Sequence, residues 1–119
     1  MMKIAEHIDQ INKSNRKALT IFLTAGFPTK ENFVELALAV LDSGADLLEI
    51  GIPFSDSLED GPVVQSSYQS ALENGTTIND VFGYCEKIKA KTDKPIISTL
   101  DVPQDLKDTI GKDLLYFEY

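Results

Sequence analysis

Tryptophan is absent from this sequence, cysteine and histidine occur once each, and acidic residues outnumber basic ones 19 to 11. A single cysteine, Cys85, excludes an internal disulfide framework and a thiolate metal cluster within one chain. His7 lies among charged residues with no metal-ligating neighbour, so no metal site and no catalytic histidine is read from it. The formal charge of −8 argues against nucleic acid or an anionic membrane as partner, since both reward lysine and arginine. Small anionic substrates stay open, because local N–H groups hold them whatever the global charge. No apolar run approaches the ~20 residues of a membrane span, and the start lacks the apolar core of a signal peptide. A cytoplasmic protein is the inference. Neither a phosphate-cradling glycine loop nor a Ser-His-Asp pattern is visible.

What is present is an ordinary globular composition, 43% hydrophobic and 25% charged over 119 residues. That suits one domain with a real core. Ile4, Ile8 and Ile11 share one helical face, so residues 3–13 read as an amphipathic helix ended by Ser14-Asn15. Ala18 to Thr24 reads as a buried strand, with Phe22 inside it as a core residue. Pro28-Thr29 is expected to start a helix capped by Thr29. Its buried stripe is Phe33, Leu36, Ala37, Val40 and Leu41, and Gly44 stops it. A second strand follows from Leu47. Pro62 to Glu73 predicts a helix packing Val63, Val64, Ser67, Ala71 and Leu72. Thr77 to Asp80 looks like an acidic capping box opening a helix to about Lys91, with Val81, Cys85 and Ile88 inward. Cys85 at that spacing is a small core residue. Ile96 to Leu100 reads as a third strand, Gln104 to Gly111 as a short helix and Leu114 to Tyr119 as a last strand. Strand-helix-strand order with short links implies right-handed crossovers and a parallel sheet.

The stretch from Asp46 to Pro62 holds the chemistry. Leu47, Leu48, Ile50 and Ile52 form a strand buried on both faces, into which Glu49 intrudes. A carboxylate buried there without a partner costs several kcal/mol or takes up a proton. A polar loop with Ser55, Asp56, Glu59 and Asp60 follows, and Pro62 suits the first position of the next helix. A carboxylate at a strand's end with a second on the following loop is how an α/β enzyme sets out acid/base chemistry. The same pattern also accommodates a satisfied structural carboxylate at Glu49 and a turn residue at Asp60.

Leu-Glu-Ile-Gly-Ile-Pro-Phe-Ser-Asp at 48–56, followed by Asp60-Gly61-Pro62, resembles the signature of the tryptophan synthase alpha chain family. Thr24-Ala25-Gly26-Phe27-Pro28-Thr29 is similar to that family's segment after its first strand. Val64-Gln65 and Ala71 to Thr76 resemble the helix after the signature. The resemblance covers about residues 4–97. It departs at Ser57, where the family usually has proline, and at Glu59, where it usually has a small residue.

The resemblance implies an α/β fold built from the parallel βα units of a TIM (β/α)8 barrel, limited to about the first three or four strands. A full barrel of this type needs about 250 residues, so the late strands that bind phosphate in such barrels are not expected here. From about residue 98 the sequence leaves the family pattern, and the tail to 119 is unassigned. A cut or engineered piece, a chimera and a small diverged relative all fit. The implied activity is a carbon–carbon lyase that cleaves indole-3-glycerol phosphate to indole and glyceraldehyde 3-phosphate in tryptophan biosynthesis. Glu49 is the implied acid/base and Asp60 the carboxylate at the indole N–H, with Phe22 and Leu100 lining the indole pocket. Asp56 lies on the loop that faces the beta chain, the implied partner, and pyridoxal phosphate belongs to that partner alone. Two other readings stand beside this one: a non-catalytic half-barrel that self-associates or docks a partner, and a barrel enzyme for another phosphosugar. Bare sheet edges in a partial barrel favour self-association.

Overall fold

The computed structural model describes residues 4–55, 60–101, 103–106, 109, 111 and 114–118. Helix α1 (Ile4–Lys13) leads to strand β1 (Thr20–Thr24), helix α2 (Phe33–Asp42) and strand β2 (Leu47–Gly51). Helices α3 (Pro62–Glu73) and α4 (Ile78–Lys89), strand β3 (Ile96–Asp101), a 3-10 turn (Gln104–Leu106) and strand β4 (Leu114–Glu118) follow. The strands form one sheet in the order β1-β2-β3-β4. Pairing of β1 with β2 and of β2 with β3 is parallel, as expected.

The core lies between one face of this sheet and helices α2 and α4. Alternation sends Leu48, Ile50 and Ile96 to that face, where all three are fully buried against Phe33, Ala37, Leu41, Val81, Cys85 and Ile88. The rings of Phe33 and Tyr84 meet with centroids 5.0 Å apart and tilted 45°, a geometry aromatic pairs favour. Cys85 is a core residue as its spacing predicts, 3.5 Å from the Ser98 hydroxyl, and burial pushes its thiol pKa up.

Two side chains tie the N-terminal ends of the strands. The Asp46 carboxylate accepts the Leu19 N–H at 2.8 Å and Arg16 Nη2 at 3.2 Å. The Leu19 N–H, with Arg16 adding to it, holds the Asp46 carboxyl below its ordinary pKa. Lys94 Nζ donates to the carbonyls of Leu41 and Ala45, both at 2.8 Å. One ammonium thus satisfies a carbonyl that the end of α2 leaves free and fixes where β3 begins.

The expected capping box is present: Asp80 N–H donates to Thr77 Oγ1 at 3.2 Å, and Thr77 N–H to Asp80 Oδ2 at 2.9 Å. Three expectations are corrected. Helix α2 begins at Phe33, since Thr29 Oγ1 accepts the Asn32 N–H and is spent on the preceding turn. On α3, Val63 is 83% exposed while Tyr68 and Ala71 are buried. The inward stripe runs Val64, Ser67, Tyr68, Ala71, and Val63 lies about 100° round the helix from Val64. The sheet is not parallel throughout, because β4 pairs antiparallel with β3. Twelve residues, a 3-10 turn among them, separate the two strands. Over 104–111 the described residues hold the 3-10 turn and a helical Thr109, and Tyr119 lies outside them.

Replacing Phe33 with Ala should destabilise the fold by about 3–5 kcal/mol, as large core truncations do. Val63→Ala should stay within about 0.5 kcal/mol. Urea unfolding of the two variants checks both values, and a large loss at Val63 would show that the orientation of α3 is wrong.

Candidate functional site

The sheet face opposite the α2–α4 core carries the candidate site. Phe22, Glu49 and Ile97 lie in one row across β1, β2 and β3, and Thr24, Gly51 and Thr99 in the next. Asp101 follows Thr99 on the same face, two residues on. Helix α3 closes over the C-terminal end of these rows. The Ser67 hydroxyl lies 2.6 Å from the Thr24 hydroxyl, and a side-chain carbon placed on Gly51 would sit 2.7 Å from the Tyr68 hydroxyl and 2.5 Å from Phe22 Cζ. The absence of a side chain at Gly51 is therefore what lets the two rings converge.

Glu49 is half-buried between fully buried Leu48 and Ile50. Burial raises its pKa above the ordinary 4.5, and the neighbouring Asp60 carboxylate adds to the rise. The sequence places both residues in one stretch, and the structure brings them within electrostatic reach. Asp60 sits just ahead of α3, with its carbonyl accepting the Gln65 side-chain amide at 2.5 Å. Its Oδ2 is buried without a hydrogen-bond partner among the described residues. Tyr68 is raised well above a normal phenol, first by burial and then by Asp101, Asp60 and Glu49. Three carboxylates and a phenol thus share one field at the C-terminal end of the strands.

Phe22 stands beside Glu49 in register and is half-buried. Leu100 does not join them. It is partly buried against the helix-side core, because alternation along β3 gives the Glu49 face to Ile97, Thr99 and Asp101. Asp56, together with Ser57 and Glu59, lies outside the described residues. Tyr68, Gly51 and Asp101 are site residues that reading the sequence missed. The Val64-Ser67-Tyr68-Ala71 spacing was the available signal for Tyr68. Counting by twos back from Asp101 would have found the inward side of β3. A cleft of about 1150 Å³ lies elsewhere, bounded by His7, Gln10 and Lys89 to Lys94 before β3 starts. Among the described residues no group of three or more His, Cys, Asp or Glu is placed to hold a metal ion. No helix there is long and apolar enough to cross a membrane.

This arrangement can be set beside known proteins. The sequence model of one family, the tryptophan synthase alpha chain, matches residues 8–101. The chain belongs to the tryptophan synthase alpha chain family. It is 41% identical over 97 residues to the alpha chain of Caldanaerobacter subterraneus, and 42% identical over 98 residues to that of Clostridium beijerinckii. Each match takes in 82% of this chain, but the chain spans only 37–38% of those relatives' length. Among solved structures, tryptophan synthase subunit alpha from Legionella pneumophila aligns with a TM-score of 0.78 at 31% identity. That match covers 93% of this chain and 42% of the subunit. Tryptophan synthase from Mycobacterium tuberculosis in an aminoacrylate-bound form aligns with a TM-score of 0.75 at 29% identity, over 79% of this chain and 38% of that one. The fold described above is therefore part of the TIM barrel of the alpha chain family. The family's sequence model ends at Asp101, so β4 and the turn before it lie beyond the segment that model matches.

Two outcomes follow from this geometry. Glu49→Gln should raise folding stability at pH 7 and leave it nearly unchanged below pH ~4. A carboxyl whose pKa is raised on folding binds its proton more tightly in the native state, so it disfavours folding only once pH climbs past the unfolded value. Urea unfolding at the two pH values reads the difference. Gly51→Ala should cost roughly 1–3 kcal/mol, the range for overpacking, since the new carbon meets both rings. A crystal structure of that variant should show Phe22 or Tyr68 displaced.

Proposed function

We propose that this chain carries the proton-transfer half of an alpha-type lyase site, which cleaves indole-3-glycerol phosphate to indole and glyceraldehyde 3-phosphate. The observation that carries the reading is Glu49, at the middle of β2 with its pKa raised by burial and by Asp60, which sits ahead of α3 beyond that strand's C-terminal end, in a chain of this family. Barrel enzymes gather their reacting groups at that end of their strands.

The chemistry follows from the groups. Protonated Glu49 delivers its proton to the substituted ring carbon of the indole. Its carboxylate then takes the proton of the side-chain hydroxyl as the carbon–carbon bond breaks. The bonding pair passes to the indole ring, the hydroxyl carbon becomes the aldehyde, and Glu49 ends protonated again. One carboxyl serves both steps when its pKa lies nearer neutrality than an exposed glutamate's. Ring protonation puts positive charge at the indole N–H, which a fixed carboxylate stabilises electrostatically. Asp60 is assigned that role, and Phe22, beside Glu49, a wall of the ring pocket. Leu100 faces the core and takes no part. Neither step needs a metal or organic cofactor from this chain.

The chain spans just over a third of its relatives' length, and no group among its described residues is assigned to the substrate phosphate. A tryptophan synthase beta chain is the proposed partner, with Asp56 on the contacting loop, and pyridoxal phosphate is its cofactor. A cytoplasmic location accords with this partner and substrate.

Indole release from indole-3-glycerol phosphate, measured with and without added beta chain, tests the reading. Release is expected to fall at least about 100-fold in Glu49→Gln, the scale of a lost general acid/base. A folded chain that binds no substrate by calorimetry and releases no indole with the beta chain present would retire the lyase reading and leave family membership standing.

A further inference from the structure

Tyr68 carries an inference that deepens the lyase reading and rests on it for its catalytic meaning. Neighbouring contacts fix this residue over the Glu49 face. The Ser67 hydroxyl donates to Val64 O at 2.7 Å. Having a single proton, it accepts the 2.6 Å bond from the Thr24 hydroxyl, which ties α3 to β1. The Gln65 side-chain amide on Asp60 O holds the first turn of the helix. Tyr68 is 3% exposed, and barrel strands added beyond β3 would only cover it more.

Gly51 makes room for the Tyr68 hydroxyl. Its oxygen lies 2.7 Å from where a side-chain carbon of residue 51 would stand. Glu49 is two residues earlier on the same face, so its Cβ is about 7 Å from that point. A glutamate carboxyl extends about half that distance past Cβ. Turned along the strand, it comes within hydrogen-bond reach of the phenol. The charged groups that act on Tyr68 are Asp101 from β3, Asp60 from the approach to α3 and Glu49 from β2. All three are acidic, and together with burial they keep the phenol protonated. A phenol so held is a donor that does not compete for the protons of the site.

We propose that Tyr68 is a positioning residue for Glu49: its hydroxyl donates to the Glu49 carboxylate whenever that group has given up its proton. Burial and the Asp60 charge both disfavour the ionised form of Glu49. A donor that bonds only the ionised form works against both. It keeps Glu49 acidic enough to protonate the indole ring, the step in which the carboxyl must release its proton. It then holds the carboxylate in one rotamer to receive the proton of the substrate hydroxyl. Asp60 Oδ2, buried without a partner among the described residues, is left for the indole N–H.

Carbon-13 NMR of the 119-residue chain, with its glutamate carboxyls labelled, tests this. Glu49 is the signal lost in Glu49→Gln. In Tyr68→Phe, which keeps the ring and its packing, Glu49 is expected to titrate about one pH unit higher, the scale of one hydrogen bond to a charged group. That is about a tenfold gain in proton affinity. A residue that only fills space would leave the midpoint within about 0.2 units, and that result would overturn the proposal. Where Tyr68→Phe fails to fold, the Tyr68 Cζ signal of the wild-type chain decides. It should shift at the Glu49 midpoint and lose that step in Glu49→Gln; a step that persists there, or never appears, overturns the proposal. Indole release keeps the two readings apart. A shifted midpoint in a chain that releases no indole upholds the Tyr68–Glu49 bond and counts against the lyase alone. Indole release with an unshifted midpoint does the reverse.

Discussion

The two-sided hydrogen bonding of β2 is the constraint from which the rest follows. With β1 on one side and β3 on the other, its side chains have only two directions available. Leu48 and Ile50 take the face against α2 and α4, which leaves Glu49 and Gly51 on the other. A one-residue slip would send Glu49 into the apolar core and two leucine-sized groups out of it, at a cost no nearby interaction offsets. The same ladder sets what stands beside Glu49, since register places Phe22 on one flank and Ile97 on the other. The candidate site is thus a by-product of the force that builds the core.

The ladder is held in register from its N-terminal end. Asp46, Arg16 and the Leu19 N–H join the start of β2 to the start of β1, while Lys94 reaches from the start of β3 to the end of α2. These contacts all precede the strands they anchor, Asp46 three residues before Glu49, so the groups that position the sheet are not those assigned to its chemistry. Glycine at position 51 completes the arrangement at the other end, where Phe22 and Tyr68 occupy the space any side chain would need.

Much of this was legible in the residues. Apolar periodicity marked β1, β2, α2 and α4, and the run from Leu48 to Pro62 pointed to the family and to Glu49 with Asp60. What escaped had physical causes. Leu100 was assigned to the pocket by likeness to a family position, although alternation along β3 gives the inner face to Thr99 and Asp101. Val63 looked inward because it is apolar, yet Tyr68, larger and paired with Ala71, sets the rotation of α3. The reversal into β4 depends on how twelve intervening residues close, and periodicity within a strand says nothing about its direction. Tyr68 and Asp101 come from elements far apart in the chain, so their meeting with Glu49 is a tertiary fact.

Cys85 carries a consequence of another kind. It is the chain's one thiol, fully buried beside Ser98 with its pKa pushed up, so the thiolate that reacts with alkylating reagents hardly forms while α4 stays on the sheet. Any labelling of the protein must pass through an opening that frees this helix. The molecule therefore holds a built-in clock for its own breathing: one mass increment per chain, whose rate reports how often the α4–β3 contact comes apart.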